Sequence, residues 1–142
     1  MNNAAENNTQ KNNNGISQKD DRCCKLSVVV SVYNEEKALR EFYKETNKIL
    51  EQIKKSGWEH ELIFVNDGSA DNSLSILEEI AHEDHDVKLI SFSRNFGHEA
   101  AMIAGIDYST GDGIICMDAD LQHPPECIPE FVCKNIKNIP SL

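Results

Sequence analysis

Short apolar runs rich in β-branched residues alternate, from residue 26 onward, with longer segments in which apolar residues recur at helical spacing. The runs cover residues 26–32, 62–65, 87–92 and 113–117, and each has the length of a single buried strand. Strands that alternate with helices build parallel sheets with helices packed on their faces. The pattern therefore predicts an α/β fold with a mostly parallel sheet.

Helices are predicted in the segments between these runs. The first segment is the clearest, because its apolar residues share one face until Gly57 offers a C-terminal cap. The second has one apolar side, and the third, after Gly97, is rich in small residues that allow close packing on the sheet. Pro124 and Pro125 open a final helix that reaches about residue 133. The apolar residues of the first two helices are Leu39, Phe42, Tyr43, Ile49, Leu50 and Ile53, and then Leu74, Leu77, Ile80 and Ala81.

A polar cluster follows each predicted strand. The clusters are residues 33–35, 66–69, 93–95 and 118–120. In open parallel sheets, ligands bind in the crevice outside the carboxyl ends of the strands. We therefore expect these clusters to converge on one edge of the sheet, although they are far apart in the sequence.

Asp118 and Asp120 follow the last predicted strand and offer two carboxylates, the hard oxygen ligands that Mg²⁺ and Mn²⁺ prefer. An Asp-x-Asp step also arises by chance in acidic proteins, where the side chains are solvated or cap a helix. The position at a strand end, with Gln122 and His123 close behind, favours a metal site. His98 and His123 are isolated in the sequence, and we interpret them as hydrogen-bonded side chains rather than as catalysts or ligands.

Asp67 and Arg94 are candidates for contacts with a nucleotide. Asp67 follows a buried strand and precedes Gly68, so its carboxylate can accept hydrogen bonds from a nucleobase. A cap on the next helix is an equally good interpretation. Arg94 precedes a predicted helix N-terminus, where its charge suits a diphosphate, and the alternative is a surface arginine paired with Glu99.

Length and charge limit the class of protein. A chain of 142 residues holds one globular domain, and we divide it into a disordered, asparagine-rich tail at residues 1–22 and a domain at residues 23–142. A formal net charge of −10 argues against a nucleic-acid partner. No apolar stretch approaches the ~20 residues of a membrane-spanning helix. With no secretion signal, we expect a cytoplasmic protein with no transmembrane segment in this chain.

Common nucleotide-binding and zinc motifs are absent from the sequence. It has no Gly-x-Gly-x-x-Gly after a first strand and no Gly-Lys-Ser/Thr phosphate loop. The spacing of Cys116, His123, Cys127 and Cys133 does not match a compact zinc site. A nucleophilic triad has no support either.

Segments of the chain resemble family-2 glycosyltransferases, most closely the group of dolichol-phosphate-mannose synthases and bactoprenol glucosyltransferases. They are residues 30–36 (VSVYNEE), 65–71 (VNDGSAD), 93–101 (SRNFGHEAA) and 117–126 (MDADLQHPPE). Each is weak alone, but together they are specific, and the resemblance covers roughly residues 26–135. Ser31 stands where many relatives have proline, and His98 where lysine or glutamine is more usual.

The resemblance implies a Rossmann-like GT-A fold and a hexosyltransferase that moves a sugar from a UDP- or GDP-sugar to a polyprenyl (dolichyl or undecaprenyl) phosphate, with inversion, at the cytoplasmic membrane face. Asp118, Asp120 and Gln122 match its binding pattern for Mg²⁺ or Mn²⁺, and Asp118 also faces the nucleotide sugar. Asp67 matches the base-contacting aspartate, and Arg94 lies in a motif beside the nucleotide. An anionic acceptor needs no general base, so no catalytic residue is assigned. The residues that match the nucleotide-contacting loop are Tyr33, Asn34 and Glu35.

Relatives continue past the position of Leu142 with an acceptor-side region and membrane-associating helices. We therefore expect the domain to be incomplete, and to need a membrane subunit or a C-terminal membrane region as its partner. The alternative function is a non-catalytic or truncated nucleotide-sugar-binding module.

Overall fold

The computed structural model describes residues 24–119. In this part of the chain, strands and helices alternate as predicted. The strands are β1 (Cys24–Val32), β2 (Trp58–Asn66), β3 (Val87–Ser91) and β4 (Gly113–Asp118), and the helices are α1 (Leu39–Lys55), α2 (Ser73–Glu83) and α3 (His98–Tyr108). The predicted tail at residues 1–22, the final helix after Pro124, and Asp120 and Gln122 lie outside the described residues.

The described strands form one parallel sheet in the order β3-β2-β1-β4. The chain adds β2 and β3 on one side of β1 and then crosses back to place β4 on the other side. Because crossovers between parallel strands are right-handed, this reversal puts α3 on the opposite face of the sheet from α1 and α2. The reversal also creates a switch point beside β1, where ligands of such sheets bind.

Helices α1 and α2 cover the larger half of the core. Phe42 of α1 meets Phe64 of β2 edge to face, with ring centroids 6.5 Å apart. Full burial of such a side chain contributes about 1.5–3 kcal/mol to folding. The cap predicted at the end of α1 is confirmed, since Gly57 has a φ of 99° and its N–H donates to the carbonyl of Lys54 at 3.0 Å. The fully buried apolar residues of α1 and α2 are Leu39, Phe42, Leu50 and Leu77, and those facing them from the sheet include Val28, Val30, Leu62 and Phe64.

Helix α3 packs closely on the other face, as its small residues predict. Ala101 is buried against a cluster that contains Val29, Ile63 and Val65. A Cβ atom added to Gly105 would lie 2.2 Å from Cγ1 of Val29, so only glycine fits at this contact. The close approach fixes the axis of α3, and with it the position of the first turn of the helix beside the strand ends.

Strand β2 begins earlier than predicted. The sequence prediction starts at residue 62, whereas the strand starts at Trp58 and pairs with β1 from Cys24 onward. The apolar-run criterion fails there because the segment contains Glu59, His60 and Glu61. Burial of His60 and Glu61 depends on partners elsewhere in the fold.

The partners of Glu61 form an ionic network around its buried carboxylate at the amino-terminal edge of the sheet. The carboxylate of Glu61 is 2% exposed, and its Oε1 lies 2.8 Å from Nζ of Lys88 and 3.6 Å from Nζ of Lys25. Its Oε2 accepts hydrogen bonds from Oγ of Ser27 at 2.6 Å and from the N–H of Thr110 at 2.7 Å. Burial by itself would raise the pKa of Glu61, but the hydrogen bonds and the lysine charges lower that pKa from 4.5 to about 2.

Candidate functional site

A cleft of about 330 Å³ opens at the carboxyl end of the sheet, a size typical of the smaller ligand sites. Residues from all of the predicted polar clusters surround it, so the expected convergence of the strand ends is confirmed. The cleft is lined by Ser31, Tyr33, Glu35, Asp67, Asn95, Gly97, His98, Asp118 and Ala119. Asn34 and Arg94 are not among these lining residues.

Asp67 anchors the loop that precedes α3. Asp67 is buried, with only 2% of its surface exposed. Oδ1 accepts hydrogen bonds from the N–H of Phe96 at 2.8 Å and of Gly97 at 3.3 Å, and Oδ2 accepts from Gly97 at 3.2 Å and from Nδ2 of Asn95 at 3.2 Å. Asp67 does not cap the next helix, because its oxygens are bound to the loop before α3; at the start of α2 the N–H of Ser73 donates to Oδ1 of Asp71 at 2.9 Å instead. Asp67 instead holds the entry to α3, the helix that follows the next strand.

The turn next to Asp67 leaves no room for a side chain at Gly68. Its φ is +67°, and an added Cβ would lie 2.2 Å from the carbonyl carbon of Arg94. The loops after β2 and β3 therefore touch backbone to backbone, which lets Asp67 reach the N–H groups of the second loop.

The loop after β1 is tied to the loop after β2 by reciprocal hydrogen bonds. Asn34 has a φ of 54°, a conformation that asparagine tolerates better than most residues. Its N–H donates to Oγ of Ser69 at 2.9 Å, and its Oδ1 accepts from the N–H of Ala70 at 2.7 Å. The N–H of Glu35 donates to Oγ of Ser73 at 2.9 Å. Asn34 thus supports the loop that presents Tyr33 and Glu35 to the cleft.

Tyr33 and Glu35 supply contrasting groups to the cleft wall. Tyr33 is 48% exposed, so its ring is available for stacking. Glu35 is partly buried and lines the same cleft. An aromatic ring beside carboxylates can hold a planar group whose edges carry hydrogen-bond donors.

Arg94 lies beside the cleft rather than in its lining. Its guanidinium carbon is 4.7 Å from the ring centroid of Phe96, which is a cation–π contact. Within residues 24–119 no ion pair joins Arg94 to Glu99, so the alternative offered for it in the sequence is not observed. Its role as a diphosphate partner stays a prediction.

Asp118 ends β4 and exposes its carboxylate to the cleft, where carboxylate oxygens suit a hard divalent cation. No group of three metal-binding side chains (His, Cys, Asp or Glu) occurs in the described part of the chain. The other predicted ligands, Asp120 and Gln122, fall beyond it. Asp118 therefore fits a magnesium or manganese site as one ligand of a set that the described residues do not complete.

His98 is the cleft residue whose position the sequence did not indicate. It is the first residue of α3, and its Nδ1 lies 3.4 Å from Oδ1 of Asp118. Ser31 was also missed as a lining residue; it lies on β1 directly opposite Asp118 in the strand register. Both residues belong to the family-like segments 30–36 and 93–101, but their position beside Asp118 follows only from which strand and helix become neighbours.

An open parallel α/β sheet with a carboxylate at its switch-point cleft is the arrangement in which sheets of this class bind ligands. Comparison with known proteins then identifies the family: the sequence model described as "Glycosyl transferase family 2" matches residues 27–137. The chain belongs to glycosyltransferase family 2, as its motifs predict.

Three relatives illustrate the sequence similarity. The chain is 49% identical over 113 residues to an uncharacterized glycosyltransferase, YkcC, of Bacillus subtilis, covering 80% of this chain and 34% of YkcC. It is 48% identical over 110 residues to a prophage bactoprenol glucosyl transferase homolog of Escherichia coli, covering 78% and 35%. It is also 48% identical over 109 residues to the undecaprenyl-phosphate 4-deoxy-4-formamido-L-arabinose transferase of Proteus mirabilis, covering 76% and 32%. The chain thus spans about a third of the length of these relatives.

Solved structures support the fold. Residues 1–349 of TarS of S. aureus, in complex with UDP, superpose with a TM-score of 0.60 at 22% identity, over 79% of this chain and 33% of that TarS chain. The mannosyltransferase PcManGT of Pyrobaculum calidifontis, in complex with GDP-Man and Mn²⁺, superposes with a TM-score of 0.56 at 21% identity, over 67% and 27%. The predicted GT-A type of α/β fold is confirmed for residues 24–119.

Proposed function

We propose that this chain forms the nucleotide-sugar-binding part of a glycosyltransferase that passes a sugar from a UDP- or GDP-sugar to a polyprenyl phosphate. The observation that carries the proposal is the cleft, in which Asp118 at the end of β4 meets Tyr33, Glu35 and Asp67 from two other strands. The names of the relatives, with bactoprenol and undecaprenyl phosphate among them, support the acceptor class. The UDP and GDP-Man complexes of the structural neighbours support the donor class.

We assign the nucleobase and its sugar to the side of the cleft formed by Tyr33, Glu35 and Asp67. The donors that occupy the Asp67 carboxylate are the N–H groups of Phe96 and Gly97 and the amide of Asn95. A carboxylate offers about four acceptor positions, and these groups use all four, because the N–H of Gly97 contacts both oxygens at 3.3 and 3.2 Å. A base N–H would replace one of the two Gly97 contacts. Tyr33 would stack on the base, and Asn34 would act indirectly by holding the loop.

We assign the diphosphate to the side of the cleft formed by Asp118 and the first turn of α3. A divalent cation bound there would neutralise the charge that develops on the departing nucleoside diphosphate. Asp118, with Asp120 and Gln122 from the following segment, would hold Mg²⁺ or Mn²⁺, and Arg94 would add a positive charge from the neighbouring loop. The N–H groups at the start of α3 favour anions in the same place.

The acceptor phosphate needs no general base, because it is already an anionic nucleophile. Attack on the sugar carbon opposite the leaving group would invert its configuration. We place this step at the cytoplasmic membrane face. The relatives are about three times as long as the segment they share with this chain, and we assign acceptor binding to a region equivalent to their additional length or to a membrane subunit. Between residues 24 and 119, no helix combines the length and apolar character that a membrane span requires.

Calorimetry of the chain with UDP or GDP, with and without Mn²⁺, tests the binding site. Native protein should bind one of the nucleotides only when Mn²⁺ is present. Asp118→Asn should weaken that binding at least about tenfold, because it removes a charged ligand. Asp107→Asn, an exposed aspartate on α3 away from the cleft lining, is the matched control and should bind as native. Equal binding by native protein and Asp118→Asn would rule out the assigned metal position.

Transfer is tested with radiolabelled UDP-glucose, GDP-mannose or UDP-N-acetylglucosamine, Mn²⁺ and undecaprenyl phosphate. Label should move into the lipid fraction from one donor. The alternative function, a binding module without turnover, predicts the same nucleotide binding with no labelled lipid.

A further inference from the structure

The imidazole of His98 lies against the carboxylate proposed to bind metal. Nδ1 of His98 is 3.4 Å from Oδ1 of Asp118, and the two side chains are 57% and 37% exposed. Both line the cleft. The separation is longer than an ordinary hydrogen bond, yet it is short enough for an N–H dipole or a positive charge to act on the carboxylate.

The backbone at His98 is held in place from two directions. Asp67 accepts hydrogen bonds from the N–H groups of Phe96 and Gly97, immediately before the helix. Further along α3, Ala101 and Gly105 are buried against the sheet. The first turn of the helix therefore has a defined position, and His98 can be replaced without disturbing the core because its side chain is exposed.

A second cavity adjoins the side chain of His98 on the side away from the cleft. This smaller cavity, of about 160 Å³, lies between α3 and β4, lined by His98, Met102, Cys116, Met117 and Asp118. Asp118 stands at the boundary of both cavities. A carboxylate in that position can rotate into either space unless a neighbour restrains it.

We propose that His98 is a positioning residue: its Nδ1–H restrains the carboxylate of Asp118 so that it faces the cleft and is ready to bind the divalent cation. The inference rests on the proposed metal site. Outer-shell partners that orient a metal ligand typically change metal affinity by about 10- to 100-fold when they are removed. His98 itself stays outside the coordination shell of the metal.

Matched substitutions of His98 distinguish positioning from general loss of structure. The side-chain amide nitrogen of asparagine takes the place of Nδ1, whereas that of glutamine takes the place of Nε2. Mn²⁺ affinity, measured by electron paramagnetic resonance in the presence of UDP or GDP, should fall about 10- to 100-fold in His98→Ala and His98→Gln. His98→Asn should stay within about threefold of native. Native affinity in His98→Ala, or better rescue by glutamine than by asparagine, would overturn the proposal.

The same Mn²⁺ samples decide whether His98 is a ligand. Electron spin echo measurements detect the coupling of a nitrogen atom bound directly to Mn²⁺. If His98 only positions Asp118, the native protein should show no nitrogen coupling from the His98 imidazole, and its spectrum should match that of His98→Ala. Such a coupling would make His98 a metal ligand and the positioning role wrong. His82→Ala, which removes an exposed histidine of α2, is the control and should bind Mn²⁺ as native.

Asp118→Asn separates failure of this inference from failure of the proposed function. If native protein binds no Mn²⁺ with either nucleotide, or Asp118→Asn binds as well as native, the metal site itself is wrong. If Asp118→Asn loses binding while His98→Ala keeps it, only the positioning role of His98 is wrong.

Discussion

Replacing Glu61 with glutamine is expected to remove about 3 kcal/mol from the free energy of unfolding near pH 7. The folded protein lowers the pKa of Glu61 from 4.5 to about 2. Each unit corresponds to about 1.4 kcal/mol, so the native surroundings favour the ionised carboxylate by roughly 3 kcal/mol. It is an upper value, because the side chains of Lys25 and Lys88 are 30% and 35% exposed and water screens part of their attraction to Glu61. Glutamine keeps the size of the side chain and leaves Lys88 and Lys25 without their counter-charge.

The stabilisation by Glu61 should decrease as the pH falls. Because the folded pKa is lower than the unfolded one, the stabilisation is fully present above about pH 4.5 and is lost as the pH falls towards about 2. The difference between native protein and Glu61→Gln should therefore be largest near neutral pH and shrink in acid. Other carboxylates titrate in both proteins and cancel in the difference.

Urea unfolding, followed by the fluorescence of the single tryptophan, Trp58, measures the difference in unfolding free energy between native protein and Glu61→Gln. Native protein, Glu61→Gln and the control Glu59→Gln are compared from about pH 7 down to the lowest pH at which native protein is folded. Glu59 is an exposed neighbour on the same strand, so its substitution should change stability by less than about 0.5 kcal/mol. A Glu61→Gln effect below about 1 kcal/mol at neutral pH, or one that does not shrink in acid, would show that the network does not stabilise the fold in this way.

Two further substitutions test how the loops beside the cleft are held together. Gly68→Ala places a Cβ 2.2 Å from the carbonyl carbon of Arg94, whereas Gly57→Ala, at a φ of +99°, meets no atom within 4 Å. Thermal unfolding should show Gly68→Ala to be at least about 2 kcal/mol less stable than Gly57→Ala, since only the first adds a backbone clash to the strain of a positive φ; equal losses would mean that the loops separate easily. Asp67→Asn turns an acceptor into a donor that faces N–H groups, and should cost about 1–3 kcal/mol. Hydrogen exchange should show faster exchange of the Gly97 amide in Asp67→Asn, and unchanged exchange would contradict the anchoring role of Asp67.

Much of the fold could be predicted because its signals are local. The run at residues 26–32 and the apolar face of α1 are visible in the sequence as β and helical periodicity. Convergence of the polar clusters follows from parallel-sheet geometry once the strands are known. The first half of β2 could not be predicted, since Glu61 is buried only because Ser27, Lys88 and Thr110 surround it, and Thr110 lies 49 residues away in the sequence.

The candidate site was predictable in its residues and much less so in their roles. Asp67 was expected to contact a base or to cap the next helix, and the structure shows it holding the loop before α3. Asn34 was expected to contact the nucleotide, yet its side chain binds the loop after β2. His98 lies in the family-like segment 93–101, but nothing in that segment indicates that Asp118 is its neighbour, because the two residues meet only across the gap between α3 and β4.

The sequence by itself determined the class of fold, the family and the strand ends where the site forms, because periodicity and short motifs are properties of neighbouring residues. Only the tertiary structure decided which side chains line the cleft, which ones brace its loops, and which charges are buried far from it. Those outcomes depend on the strand order β3-β2-β1-β4 and on the close contact of Gly105 with Val29. Both bring together residues that are remote in the sequence, and hydrogen bonds and ion pairs form wherever that packing places a donor beside an acceptor.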